Sequence, residues 1–351
     1  MQTFSEHIDT EFCKLSEDNA QNSCIFAKAG KILREGGLVA FPTETVYGLG
    51  ANALDPEAAK KIYAAKGRPS DNPLIVHIAH TSDAEKYCFI NETYMLLAKK
   101  FLPGALTVIL PKRDCIPFEV TGGLDTVAIR LPSDKNARAM IDAAGVPVAA
   151  PSANRSGRPS PTTAKHVFDD MNGRIDMIID GGECQIGLES TIVKIDEDGL
   201  TLLRPGGVTV EMLSEVCPVK IDKVVTEKLS GNERPLAPGM KYRHYAPDTK
   251  VVLVDSTFDN FTNFVEKQSE YHKIGVIVSH DEAVILSKYN ISVLSYGDDK
   301  FSEAHNLFDT LRCVDSFGCE VIYARLPEKN GIGLAIYNRI LKAAGYEIIR
   351  V

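Results

Sequence analysis

The sequence predicts an α/β protein built as two unequal units, and three observations predict it. Strand-like apolar runs alternate with amphipathic helical patterns along most of the chain. A proline-punctuated stretch from residue 218 to 248 interrupts that alternation. The 351 residues are 44% hydrophobic and 25% charged, an ordinary globular balance long enough for two cores.

Residues 22–35 read as a helix stopped by Gly36 and Gly37, and Leu38 to Phe41 follow as a short buried strand running into Pro42. Asp55-Pro56-Glu57 is a helix start with a cap, a proline at the first helical position and an acid in the first turn. Gly67 ends that helix, which leaves Lys66 and Arg68 at its C-terminal edge. Strand-like runs recur at Leu74–Ile78, Leu106–Leu110, Val127–Leu131, Val146–Ala150, Met177–Ile179, Thr191–Ile195 and Leu200–Leu203. Helical patterns separate several of them, so residues 15–217 are expected to form a mixed α/β domain.

Between 218 and 248 the periodicity fades, and Pro218, Pro235, Pro238 and Pro247 alternate with charges, Tyr242 and Tyr245. The four prolines restrict the backbone and the two tyrosines would be wasted in solvent, so this linker reads as a mobile cover for a cleft. The remainder, 249–351, is regular. Strands Val251–Val254, Ile274–Val278, Ile291–Leu294 and Val321–Ala324 alternate with helices near 258–270, 282–289, 301–316 and 332–344. Such alternation predicts a small parallel sheet with helices on both faces.

A formal net charge of −8 argues against a surface that coats nucleic acid throughout, while leaving room for a local basic cleft. Apolar stretches stop far short of the roughly 20 residues that span a membrane. Residues 1–12 carry Glu6, Asp9 and Glu11 and lack a signal pattern, so a cytoplasmic protein without a membrane segment is expected. The eight cysteines are scattered and form no Cys-x-x-Cys, which favours free thiols over disulfides or zinc. Gly331-Ile332-Gly333 opens a helix, but Ile336 holds the place of a third glycine, leaving a tight turn. No P-loop and no Gly-x-Ser-x-Gly hydrolase elbow occurs.

The chemistry-bearing text lies at strand ends, where open α/β sheets bind ligands. Phe41 to Gly50 places Thr43, Glu44, Thr45 and Tyr47 directly after a buried strand. Lys66-Gly67-Arg68-Pro69-Ser70-Asp71-Asn72-Pro73 sets two cations on a stiff turn before a strand bearing His77. Arg130 interrupts an apolar strand, and a strand-borne arginine usually answers an anion. Pro151-Ser152-Ala153-Asn154, Leu188-Glu189-Ser190-Thr191 and Leu203-Arg204-Pro205-Gly206 add small polar groups and another cation. Such a set binds phosphate and carboxylate, and suits nucleotide chemistry in which catalysis is mostly positioning and charge stabilisation.

In order and spacing these segments resemble the YrdC-like family. The string Ala237-Pro238-Gly239-Met240-Lys241-Tyr242-Arg243-His244-Tyr245-Ala246-Pro247, followed by a small α/β domain, is similar to the longer Sua5 branch. The resemblance implies a YrdC-like twisted open mixed sheet with helices, then a smaller Rossmann-like parallel α/β domain. It implies a nucleotidyltransferase, an L-threonylcarbamoyladenylate synthase. Such an enzyme uses L-threonine, bicarbonate and ATP with Mg²⁺ and releases pyrophosphate. Partner proteins then transfer the threonylcarbamoyl group to adenosine 37 of tRNA. By the resemblance Thr45, His77, Arg130 and Ser190 bind threonine. Arg68, Asn72, Thr126, Ser152, Asn154, Arg204 and Tyr245 bind ATP, with Lys66 facing the triphosphate; Lys66 and Arg68 are the catalytic candidates. After Asn154 either Ser160 or Thr162 contributes, Thr162 being the one carried forward. No general base and no protein metal ligand is assigned. The rival readings are an RNA-binding module whose basic cleft holds tRNA, and an enzyme forming another carbamoyl adenylate.

Overall fold

The computed structural model describes residues 8–228, 235–240 and 244–351. Eleven strands make the first sheet: β1 (Glu11–Lys14), β2 (Val39–Phe41), β3 (Gly48–Asn52), β4 (Ile75–His77), β5 (Leu106–Pro111), β6 (Thr126–Arg130), β7 (Val148–Ala149), β8 (Met177–Asp180), β9 (Thr191–Asp196), β10 (Gly199–Arg204) and β11 (Val219–Ile221). Their order is β1-β8-β2-β3-β7-β4-β6-β5-β9-β10-β11, with parallel and antiparallel neighbours mixed, as the fold class requires.

Local chemistry explains the elements. The first helix runs Asn19–Arg34, starting earlier than its apolar pattern suggests because the Asp18 side chain accepts hydrogen bonds from the Ala20 and Gln21 N–H groups. Helix Pro56–Lys66 is capped by Asp55 and ends at Gly67 with φ 64°, as the sequence reads. Strand β3 was not expected in the glycine-rich run 48–52. It pairs antiparallel with β2, and a Cβ on Gly50 would lie 2.8 Å from Val148 Cγ1, so only glycine lets the strands approach. The expected strand at Val146–Ala150 shrinks to Val148–Ala149. The expected linker begins with β11, which pairs parallel with β10 and extends the first sheet. Tyr242 and the segments 229–234 and 241–243 lie outside the described residues.

The second sheet comprises β12 (Lys250–Asp255), β13 (Ile274–Val278), β14 (Ser292–Ser295), β15 (Val321–Arg325) and β16 (Ile348–Arg350). It is parallel throughout, in the order β14-β13-β15-β12-β16. Phe261, Val265 and Leu286 pack on one face, from helices Phe258–Ser269 and His280–Leu286. Helices Lys300–Cys313 and Gly333–Ala343 cover the other face. All eight cysteines are free.

The two domains share a core. Val46, Leu188 and Tyr245 pack into the same cluster as Leu307, Phe308, Ile336 and Ile340 of the C-terminal helices. Every residue of helix Gly333–Ala343 is buried, because the helix is sandwiched between its own sheet and the first domain. Ala237 and Met240 lie on the face of the first sheet, against Ile75, Ile109, Ala128, Ile192 and Leu203.

Candidate functional site

The register of the first sheet sets His77, Arg130, Thr107, Ile192 and Arg204 opposite one another in turn across β4, β6, β5, β9 and β10. At about 4.8 Å per strand this row spans roughly 19 Å, with a cation near each end. A cavity adjoins this row. Lys66, Arg68, His77, Arg130, Ser152, Asn154, Arg204 and Tyr245 all line it. Eight of the residues singled out in the sequence, from six separate segments, therefore converge.

At one end Arg130 donates from Nη2 to Glu44 Oε1 and Thr45 Oγ1, each at 2.8 Å, and is 4% exposed. His77 lies beside it in the register, and its Nδ1 donates to the Ile75 carbonyl at 3.1 Å. Burial, reinforced by the Arg130 charge, pushes the imidazole down to about 3, so it is neutral at physiological pH. At the other end Arg204 donates from Nε to the Ser190 carbonyl at 3.0 Å and from Nη2 to Ser190 Oγ at 3.1 Å. The Ser190 hydroxyl in turn pairs with Thr107 Oγ1 at 2.8 Å. Burial lowers Arg204 to about 10, which still leaves it charged. Thr45 and Ser190 thus stand behind the two arginines and orient them.

Also lining the cavity, Lys66 Nζ donates to the Ser152 carbonyl and, at 2.5 Å, to that of Asn154. Burial, then the nearby Arg68 charge, pushes the amine well below its ordinary value. Arg68 Nη2 donates to the carbonyls of Asn72 and Pro73 at 3.3 and 3.1 Å, which ties Asn72 to the site through its backbone. Asn154 Nδ2 holds its own loop by donating to the Arg155 and Arg158 carbonyls. Thr126 sits at the start of β6, four residues from Arg130, and does not line the cavity. Thr162 is buried next to His166 outside the lining, whereas Ser160 donates to Glu189 Oε1 at 2.6 Å and so reaches the site through that carboxylate.

The cover comes from the segment between the domains. Pro238, Gly239, His244 and Tyr245 line the cavity, and the Tyr245 ring packs on Phe308 at 5.0 Å. Burial, then the Arg68 charge, pushes His244 down to about 3. The C-terminal domain also enters: Arg339 Nε donates to Glu189 Oε2 at 2.7 Å, and Lys342 Nζ donates to the Gly239 carbonyl at 2.8 Å. Burial alone would raise the Glu189 carboxyl, but Arg339, Arg204 and the Ser160 hydroxyl outweigh it and hold the group at about 2. Four basic side chains against one carboxylate on the lining of a single cavity suit a polyanionic ligand.

The family model Sua5_yciO_yrdC, described as telomere recombination, matches residues 31–206. The model for the threonylcarbamoyl-AMP synthase C-terminal domain matches residues 208–345. The chain belongs to the Sua5 family. It is 47% identical over 331 residues to the threonylcarbamoyl-AMP synthase of Pyrococcus abyssi, covering 92% of this chain and 95% of that protein. It is 44% identical over 343 residues to the Bacillus subtilis protein of the same name, covering 97% of this chain and 98% of its relative. A crystal structure of P. abyssi Sua5 complexed with L-threonine superposes with a TM-score of 0.88 at 44% identity, covering 97% of this chain and 99% of that one. Another structure, a His-to-Ala, Tyr-to-Ala double variant of P. abyssi Sua5, gives 0.90 at 44% identity, covering 97% of this chain and 98% of that one.

In this Sua5 protein several site groups escaped the sequence reading. Glu44 and Glu189 stand inside the quoted motifs beside Thr45 and Ser190, but the sequence assigns them no partner and no role. Arg339 and Lys342 sit in a run read only as a helix. A legible signal was present, since two cations three residues apart on an otherwise apolar helix require buried partners.

Proposed function

We propose that this Sua5 protein is an L-threonylcarbamoyladenylate synthase, converting L-threonine, bicarbonate and ATP into threonylcarbamoyl-AMP and pyrophosphate. The observation that carries the reading is the convergence of Arg130 and Arg204, from opposite parts of the strand row, with Lys66 and Arg68 on the lining of one cavity. A small cavity bridged by a chain segment favours small substrates over an RNA strand.

The residues divide the work by chemistry. Arg130, oriented by Thr45, takes the threonine carboxylate beside the neutral His77, which adds no competing charge. Threonine's free amine condenses with bicarbonate to a carbamate with loss of water, and the carbamate oxygen attacks the α-phosphorus of ATP in line with the departing pyrophosphate. Lys66, Arg68 and Arg204 face the charge that accumulates there, in a buried setting where their effect is strong. Asn154 and Ser152 shape the wall against the nucleotide, and His244 and Tyr245 close over it and exclude water from a hydrolysable adenylate. Magnesium enters with ATP as part of that substrate.

Downstream, proteins that act on tRNA would take the product and carry the threonylcarbamoyl group to adenosine 37. Among the described residues no helix is long and apolar enough to cross a membrane, and the proposed setting is the cytoplasm. The test is pyrophosphate release by the pure protein with ATP, magnesium, bicarbonate and threonine. Release should require threonine and bicarbonate together, and equal release with serine or without bicarbonate would refute the reading.

A further inference from the structure

Glu44 is the one carboxylate hydrogen-bonded to Arg130 among the described residues, and the resemblance, the register and the cavity lining all pass it by. It is 4% exposed, and only one of its oxygens, Oε1, has a partner. Its Oε2 is buried with no hydrogen-bond partner, and so is Nε of Arg130 in the same ion pair. Buried polar atoms are almost always satisfied. Here one acceptor and one donor go unsatisfied at a single ion pair, which leaves residual negative and positive valence side by side. A ligand that carried only a carboxylate would answer the guanidinium and meet the Glu44 charge as repulsion. An α-amino acid carries the complement of both.

We infer that Glu44 is a specificity-determining residue, tuning the Arg130 subsite to a zwitterion and rejecting carboxylates that lack an ammonium group. The inference rests on the synthase reading and adds to it the electrical form in which threonine is selected. Arg130 without Glu44 would be a general carboxylate receptor, open to the many hydroxy and keto acids of a cell. With Glu44 on the same guanidinium, an amino acid whose carboxylate lies on Arg130 brings its ammonium toward the Glu44 charge, and opposite charges so placed favour each other. The neutral His77 beside the pair does not upset that balance. The same charge also acts after binding. Once the amine has become a carbamate the zwitterion is gone, Glu44 repels the new anion, and the reacting group is driven toward Lys66 and Arg68.

The probes are L-threonine and 3-hydroxybutanoate, which is threonine without its amino group, titrated calorimetrically into the full-length protein. The unmodified protein should prefer threonine by roughly tenfold or more. Glu44→Gln keeps the shape and removes the charge, and should cut that preference by about the same factor, mainly by tightening 3-hydroxybutanoate. Glu44→Asp, which retains the charge, should keep most of the preference. An unmodified protein that binds threonine and 3-hydroxybutanoate equally well would overturn the inference without any variant. A folded Glu44→Gln protein that loses affinity for both ligands in equal proportion would overturn it too, leaving Glu44 a prop for Arg130. Either result leaves the synthase reading standing. Failure of the unmodified protein to bind threonine at all would remove both.

Discussion

Replacing Arg339 with methionine tests whether the C-terminal domain is part of the site's framework. The guanidinium is fully buried and donates to Glu189 Oε2 at 2.7 Å, and Glu189 Oε1 already holds Ser160. Methionine fills much of the space but leaves the carboxylate with only the Ser160 and Tyr245 hydroxyls as donors. Removing one member of a buried ion pair typically costs about 3–5 kcal/mol, because the survivor stays desolvated. Linkage gives a comparable figure: holding the carboxyl near 2 instead of its ordinary 4.5 corresponds to about 3 kcal/mol at neutral pH. The assay is urea unfolding followed by tyrosine fluorescence, which is clean because the chain has no tryptophan. The sign with pH is fixed. A carboxyl depressed in the folded state contributes stability above about 4.5 and loses it as pH falls toward about 2. The Arg339→Met deficit should therefore be complete at pH 7 and shrink in acid, and Glu189→Gln in the same chain should recover much of it. A deficit below about 1 kcal/mol at pH 7, or one indifferent to pH, would refute the claim that this pair couples the domains.

Arg130→Ala removes a charge-assisted contact worth about 1.5–3 kcal/mol, so threonine affinity should fall roughly 10- to 150-fold while ATP affinity holds; an equal loss of ATP binding by calorimetry would move Arg130 to the nucleotide. His77 and His244 are both pushed down to about 3, against 6.5 for a free imidazole, so the unfolded chain takes up protons first. Thermal midpoints should consequently drop as pH falls below about 6.5, and His77→Gln should flatten the drop; an unchanged midpoint down to pH 5 would contradict the burial of these rings. Hydrogen exchange in residues 235–240 and 244–247 should slow when ATP and threonine are added, with strands β12 to β15 unaffected. Unaltered exchange would reduce the segment to a fixed strap.

Most of the fold was legible because most of it is locally determined. Asp55, Pro56 and Gly67 mark a helix by chemistry that needs no tertiary partner, and the alternation after residue 249 can be satisfied only by a parallel sheet. What escaped depends on distant contacts. Strand β3 is glycine-rich and has no strand propensity; it exists because β2 and β7 pair with its two edges. Strand β11 is a three-residue edge that β10 recruits. At the site, residues whose chemistry is an isolated cation or hydroxyl at a strand end were visible, Arg130, Arg204 and Ser190 among them. The ion pairs were not, since nothing local shows that Glu44 meets Arg130 across 86 residues or that Glu189 meets Arg339 across 150.

Tyr245 sits at φ 62°, in the left-handed region that an aromatic residue rarely enters. Such a backbone is uphill by about 1–3 kcal/mol and persists only where the surroundings enforce it. Much of the enforcement is remote: the hydroxyl is bonded to Glu189 of the first domain, but the ring lies on Phe308 and 5.8 Å from the Arg339 guanidinium, both in the other domain. The segment over the cavity is thus loaded like a sprung latch whose catch belongs to a different part of the molecule. Small changes in how the C-terminal helices seat would release it, while changes in the segment's own composition that leave the ring in place would not. Tyr245→Gly separates the two halves of the device, since glycine relaxes the backbone and discards the ring that the catch engages.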